Sequence, residues 1–310
     1  MRLGGQRESN NVEDRRGEGS GGLGGMGGRP IGLGGGGIPL RGKSLVVLAA
    51  IVGIGWLVFG INPIQMLAMM TGGGSIDSGY DQSTPSPRTS SSANNAGAED
   101  PGRIFVAKVL GSTEDVWTDI FKAEGETYTP TPLVLFSGAT RSACGSASAA
   151  SGPFYCPVDK KVYIDLAFYD ELKNRFGASG DFAQAYVIAH EVGHHVQDLT
   201  GVLPKFNQMR QQMSPADANA MSVKVELQAD CYAGVWANKT DQKGMLEEGD
   251  IDEALNAATQ IGDDAIQKRS QGYVVPDSFT HGTSAQRSGW FKRGYQTGDI
   301  RQCNTFAGGA

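Results

Sequence analysis

His190 and His194 stand four residues apart, with Glu191 between them, in a run from Phe182 to Leu199 that holds no proline and one interior glycine, Gly193. A helix turns 100° per residue, so these two imidazoles share a face, one turn above the other. Asp181 followed by Gln184 reads as a capping box at the start, and Gly201 and Pro204 read as stop signals at the end. The spacing therefore predicts a helix over 182–200. Histidine is scarce, four in 310 residues, yet three of the four fall between positions 190 and 195. Two imidazoles placed this way can grip one divalent ion at about 2.0–2.1 Å. Gly193 costs roughly 1 kcal/mol in a helix interior relative to alanine, which points to the close approach of another backbone or of a ligand strand.

His190-Glu191-Val192-Gly193-His194 is the HExxH pattern, in which the glutamate sits beside the metal and takes a proton from a water. Such a site needs a third protein ligand and one open position. The HExxHxxGxxH solution is excluded, because Gln197 stands where glycine is required and Thr200 where histidine is required. The gluzincin solution takes a glutamate from a second helix. A helix is expected over 214–238, capped by Ser214 with Pro215 at its first position and Asp217 closing a capping box. It carries Glu226 and Asp230, four apart on one face. Glu226 is assigned as the third ligand. Asp230 is assigned to accept from the far ring nitrogen of a ligand histidine, fixing its tautomer.

His195 falls about 140° around the helix from His190 and is expected to pack away from the metal. His281, in the turn Thr280-His281-Gly282-Thr283-Ser284, is placed to stabilise a developing oxyanion, or else serves the turn itself.

Residues 1–43 are dominated by glycine, with seven basic and four acidic side chains, a net of +3 against −6 for the chain and so −9 for the remainder. This composition is expected to be disordered. Residues 44–70 carry no charge, and the 17 positions Leu45 to Ile61 are apolar or glycine. Such a stretch reaches about 25 Å as a helix, and more if continued to Met70, against a bilayer core of roughly 30 Å. It reads as one transmembrane helix, a retained anchor rather than a cleaved signal. The positive-inside rule then puts the N-terminus in the cytoplasm of a bacterial cell membrane and the rest in the periplasm or its equivalent. Residues 71–101, rich in Gly, Ser, Thr, Pro and Asn, read as a flexible linker. Residues 102–310 form one domain. Its acidic balance argues against nucleic acid.

All four cysteines, Cys144, Cys156, Cys231 and Cys303, follow the apolar stretch, which fits an oxidising compartment. Three pairings are possible. Cys144 with Cys156 is favoured because it closes a Gly/Ser/Ala-rich loop, leaving Cys231 with Cys303. Helices are expected over 114–123, 167–176, 251–269 and 284–296, with Asp250 and Glu253 as a further capping box, and strands at Leu133–Phe136 and Lys161–Leu166. The fold class is α+β, mainly helical with a small sheet whose edge runs beside the cleft and pairs with an extended peptide.

The chain resembles the bacterial family of neutral zinc metallopeptidases with one N-terminal membrane span. The likeness rests on Asn11-Val12-Glu13-Asp14-Arg15-Arg16-Gly17, on Gly152-Pro153-Phe154-Tyr155-Cys156-Pro157, on Gly180 to Ala183 leading into HEVGHHVQ, on Glu226 to Gly234, and on Ser278 to Arg287. The resemblance implies a zincin-like domain that hydrolyses peptide bonds. Residues and resemblance together give a membrane-anchored zinc endopeptidase. One Zn²⁺ is held by His190, His194 and Glu226, with Glu191 activating a water on the metal and a peptide or protein as substrate. The rival reading is a membrane-anchored interaction or assembly protein in which zinc is structural or the peptidase chemistry has lapsed. Intact Glu191 counts against it, since a structural site has no use for that carboxylate.

Overall fold

Leu133-Val134-Leu135-Phe136 is a run of four apolar residues with no polar alternation, the pattern of a strand covered on both faces. The computed structural model describes residues 1–18, 100–148 and 151–307, all within one compact unit, and in it this run is a central strand. In chain order the elements are β1 (Val12–Asp14), α1 (Pro101–Ala123), β2 (Leu133–Phe136), β3 (Ala139–Ser142), β4 (Gly145–Ser148), β5 (Phe154–Cys156) and β6 (Lys161–Asp165). Then follow α2 (Ala167–Asn174), α3 (Asp181–Leu199), α4 (Val202–Met209), α5 (Pro215–Gln242), α6 (Asp250–Gln260), α7 (Asp263–Gln271) and α8 (Ser284–Thr297). The α+β class, mostly helical with small sheets, fits.

The main sheet runs β1-β2-β6-β5, with β1, β2 and β6 parallel and β5 antiparallel to β6. Side chains alternate across it with period 2. Leu133, Leu135, Val162 and Ile164 face the helices and join the main core, while Val134, Phe136 and Tyr163 form a second cluster with Cys156 on the opposite face. Phe154 stacks on Tyr163, its cross-strand partner, with ring centroids 4.8 Å apart. The separate hairpin β3–β4 is tied to the β5 edge by the disulfide Cys144–Cys156. The second disulfide, Cys231–Cys303, joins α5 to the C-terminal segment.

α3 lies buried along most of its length, which is why its sequence is apolar nearly all round. Its start differs from the expected capping box. Gly180 is the N-cap and offers no side chain; Glu253 Oε2, from α6, accepts from the Phe182 N–H at 3.0 Å instead. Asp181 pairs with the Met1 amine at 2.8 Å. Asp250 likewise does not cap α6 in a box with Glu253, and accepts from the Glu247 N–H at 2.9 Å. The helix expected over 251–269 is two helices, broken at Ile261 and Gly262, and α1 begins thirteen residues earlier than the expected 114. Asp100 caps it, accepting from the Gly102 N–H at 2.8 Å, with Pro101 at the first position.

The expectation of disorder over 1–43 does not hold for residues 1–18, which are packed into the domain and contribute β1 to its sheet. Residues 19–43, the apolar stretch 44–70 and residues 71–99 of the expected linker lie outside the described residues. Among the described residues no helix is long and apolar enough to cross a membrane.

Candidate metal centre

α3 and α5 cross where neither carries bulk. A Cβ on Gly193 would lie 3.1 Å from the Ala229 carbonyl oxygen and 3.2 Å from its Cα, so the glycine lets the two backbones meet. That contact brings the third ligand candidate to the other two. Glu226 Oε2 lies 3.2 Å from His190 Nε2, and Oε1 lies 3.5 Å from His194 Nε2. The three side chains offer ligand atoms that all fall within 4.8 Å of one another. Four ligands at 2.0–2.1 Å in a tetrahedron are separated by about 3.3–3.4 Å. The two histidine-to-glutamate separations are close to such an edge, and the donor set, two imidazole nitrogens and a carboxylate, buried or nearly so, fits a zinc ion.

The far side of each ring is also held. His190 Nδ1 lies 2.8 Å from Asp230 Oδ1, which keeps a proton on Nδ1 and turns Nε2 toward Glu226, where a metal would displace the Nε2 proton. Asp230 is wholly buried and accepts three further bonds: from Tyr186 Oη at 2.6 Å and from Arg287 Nε and Nη2 at 2.9 and 3.0 Å. Burial disfavours its charge, but Arg287 and His190 more than compensate and hold its carboxyl well below the usual range. On His190, burial opposes the charged form while Asp230 and Glu226 favour it, lifting its pKa to about 10 without metal. His194 Nδ1 lies 2.9 Å from Gln197 Oε1, and the Gln197 amide donates to the Val225 carbonyl at 2.7 Å and to Gln228 Oε1 at 3.0 Å. Gln197 thus does its work at the position where the excluded motif would require glycine.

Glu191 points to the same cleft but is not among the converging donors. It is 7% exposed, and burial pushes its carboxyl pKa up, with His190 and His194 opposing the shift. His195 packs away from the centre, with Nδ1 3.0 Å from Tyr155 Oη and Nε2 2.7 Å from the Thr129 carbonyl. His281 lies on the cleft wall, half exposed. Its turn is held by Asp263, whose Oδ2 accepts the N–H groups of Thr280, His281 and Gly282 at 2.8, 2.7 and 3.0 Å, and whose Oδ1 lies 3.2 Å from His281 Nδ1. Nε2 of that ring is left for the cleft. The cleft holds about 570 Å³ and is walled by Phe154 and Tyr155 of the edge strand β5, by Leu203 and Phe206 of α4, and by the metal-centre side chains.

Tyr186, Gln197, Asp263 and Arg287 were not singled out by sequence reasoning. A buried arginine is recognisable only through its partner, and Arg287 meets Asp230 across 57 positions.

Gly193→Ala is expected to weaken zinc affinity, because the Ala229 backbone must retreat by a few tenths of an ångström and carries Glu226 with it. Overpacking of this kind costs about 1–3 kcal/mol, offset in part by the roughly 1 kcal/mol gain in helix propensity. Chelator competition would register the loss of affinity even where thermal stability barely moves. Unchanged affinity would mean that the helix crossing does not set the ligand spacing.

A family model described as "Putative neutral zinc metallopeptidase" matches residues 1–306. The chain is 49% identical over 308 residues to "Uncharacterized protein YpfJ" of Escherichia coli (strain K12), covering 99% of both proteins. It is 44% identical over 222 residues to "Uncharacterized protein Rv2575" of Mycobacterium tuberculosis (strain ATCC 25618 / H37Rv), covering 67% of this chain and 73% of that protein. No solved structure matches the chain.

Proposed function

The chain belongs to this neutral zinc metallopeptidase family, and from that membership we propose that it is a zinc-dependent endopeptidase of gluzincin type, with His190, His194 and Glu226 as ligands and Glu191 as general base. One observation carries the reading: the donor atoms of three side chains from two helices face one another at 3.2 and 3.5 Å, with Glu191 beside them and outside the set. A structural zinc would be closed by a fourth protein ligand, and among the described residues no fourth joins this cluster.

Bound zinc supplies a Lewis acid that acidifies a water and polarises a peptide carbonyl. The remaining steps belong to the chain. Glu191 accepts a proton from the attacking water and later delivers it to the leaving amine. Burial raises the basicity of this carboxylate toward the value a neutral-pH base needs. His281 donates from Nε2 to the oxygen that gains charge, and Asp263 holds its ring through Nδ1. β5, at the edge of the sheet among the described residues, pairs with the backbone of an extended substrate, and the apolar wall at Leu203 and Phe206 receives a large apolar side chain.

The test is cleavage of a quenched-peptide library by the purified full chain, before and after chelation and after zinc is restored. Zinc-dependent cleavage is expected. A zinc-loaded protein that cuts no peptide would favour the interaction or assembly reading instead. His281→Ala is expected to lower kcat by about 10²-fold, the scale of one lost oxyanion donor, with zinc content and KM little changed. An equal loss confined to KM would make His281 a substrate-binding residue.

A further inference from the structure

The motif Asn11 to Gly17 plays no part in the metal centre, yet residues 11–16 are held by strand pairing, hydrogen bonds and ion pairs. β1 pairs in parallel with β2 in the register Val12↔Leu133, Glu13↔Val134 and Asp14↔Leu135. The ladder is extended by the Leu133 N–H to the Asn11 carbonyl and the Arg15 N–H to the Leu135 carbonyl, each at 2.8 Å. Lys161 on β6 reaches Glu13 at 2.6 Å, and Arg16 bridges Asp14 and Asp100 at the start of α1.

The rest of the segment lies on α1. The Ser9 N–H donates to the Ala107 carbonyl at 2.9 Å. Glu114, a 5%-exposed carboxylate inside α1, is met by Ser9 Oγ at 2.6 Å, Asn11 Nδ2 at 2.7 Å and Arg7 Nη2 at 2.8 Å. All three partners come from the N-terminal segment. A buried carboxylate needs hydrogen-bond partners, and among the described residues Glu114 finds its side-chain partners only in residues 1–18. Gly111 completes the fit, since a Cβ there would lie 2.9 Å from the Arg7 carbonyl oxygen.

Strand pairing and direct ion pairs cannot operate across the roughly 30 Å core of a bilayer. We propose that residues 1–18 and 100–307, which fold as one unit, occupy the same side of any membrane the protein meets. This replaces the expected topology of a cytoplasmic N-terminus joined to an external domain.

The test uses the full chain in bacterial cells, whose own cysteines are all paired. Asn10→Cys and Glu124→Cys, at exposed positions of the N-terminal segment and of the C-cap of α1, are labelled separately with a membrane-impermeant maleimide before and after permeabilisation. The same accessibility for both, whether labelled or protected in intact cells, is expected. Labelling of one with protection of the other would overturn the proposal. Hydrogen exchange on the purified full chain reads the docking itself. Slow exchange at Arg15 and Leu133 is expected, and exchange at unprotected rates at both would equally overturn it.

Discussion

Glu191→Gln is expected to keep zinc and lose peptide hydrolysis by about 10²–10⁴-fold, the range spanned by a lost general base. The amide has the same shape, and Glu191 stands outside the three converging donors, so the ligand geometry survives the change. What disappears is the ability to take and return a proton. The fold itself should not suffer. Burial raises the pKa of this carboxyl in the native state, so the folded protein binds its proton more tightly than the unfolded chain does. The stabilisation this provides is complete below the unfolded value near 4.5 and is lost as pH rises through the folded value. At neutral pH the metal-free Gln variant is therefore expected to melt no lower than the wild type. Zinc content, thermal midpoint and turnover of a quenched peptide decide the matter together. Wild-type turnover by the variant would remove Glu191 from the mechanism.

Asp230→Ala is expected to do the reverse, damaging both stability and metal binding. The carboxylate is wholly buried against His190, Tyr186 and Arg287, and the Arg287 side chain is 4% exposed. Its removal leaves a guanidinium in the interior without its countercharge, a situation that costs about 3–5 kcal/mol. It also frees the His190 ring to rotate, and loss of such a partner typically weakens metal affinity 10–100-fold. The double variant Asp230→Ala/Arg287→Met separates the two effects. Removing both charges should recover most of the stability and none of the zinc affinity. Denaturant unfolding and chelator competition supply the two readouts. Wild-type zinc affinity in Asp230→Ala would show that the His190 ring is oriented by something else.

The parts legible in the sequence were those whose causes are local. The helix expected over 182–200 is observed at Asp181–Leu199, because its apolar run lies within it and Gly201 stands just past its C-cap Thr200. Ser214 caps α5 as expected, its side chain accepting from the Asp217 N–H at 3.2 Å. Glu226 could be proposed because four-residue spacing on a capped helix can be read along the chain. Features made by distant partners could not be read in this way. Glycine at 180 gives no sign that Glu253 supplies the missing cap from α6. Nor does the polar, charge-rich start of the chain announce a strand, because its pairing with Leu133–Phe136 lies some 120 positions away and its charges are matched only after folding. Arg287 and Asp263 belong with these, since Asp230 and His281 lie 57 and 18 positions from them, whereas Gln197 stands three positions from His194 on one helix face, a spacing that could have pointed to it.

X-ray absorption at the zinc K-edge of the purified full chain addresses the metal centre most directly. The expected spectrum shows one zinc per chain with two imidazole nitrogens at about 2.0–2.1 Å, the remaining ligands oxygen and no sulfur, and Glu226→Ala should change that oxygen shell. A chain that retains no zinc, or one whose metal is enclosed by sulfur or by four protein ligands, would contradict a catalytic centre built from His190, His194 and Glu226.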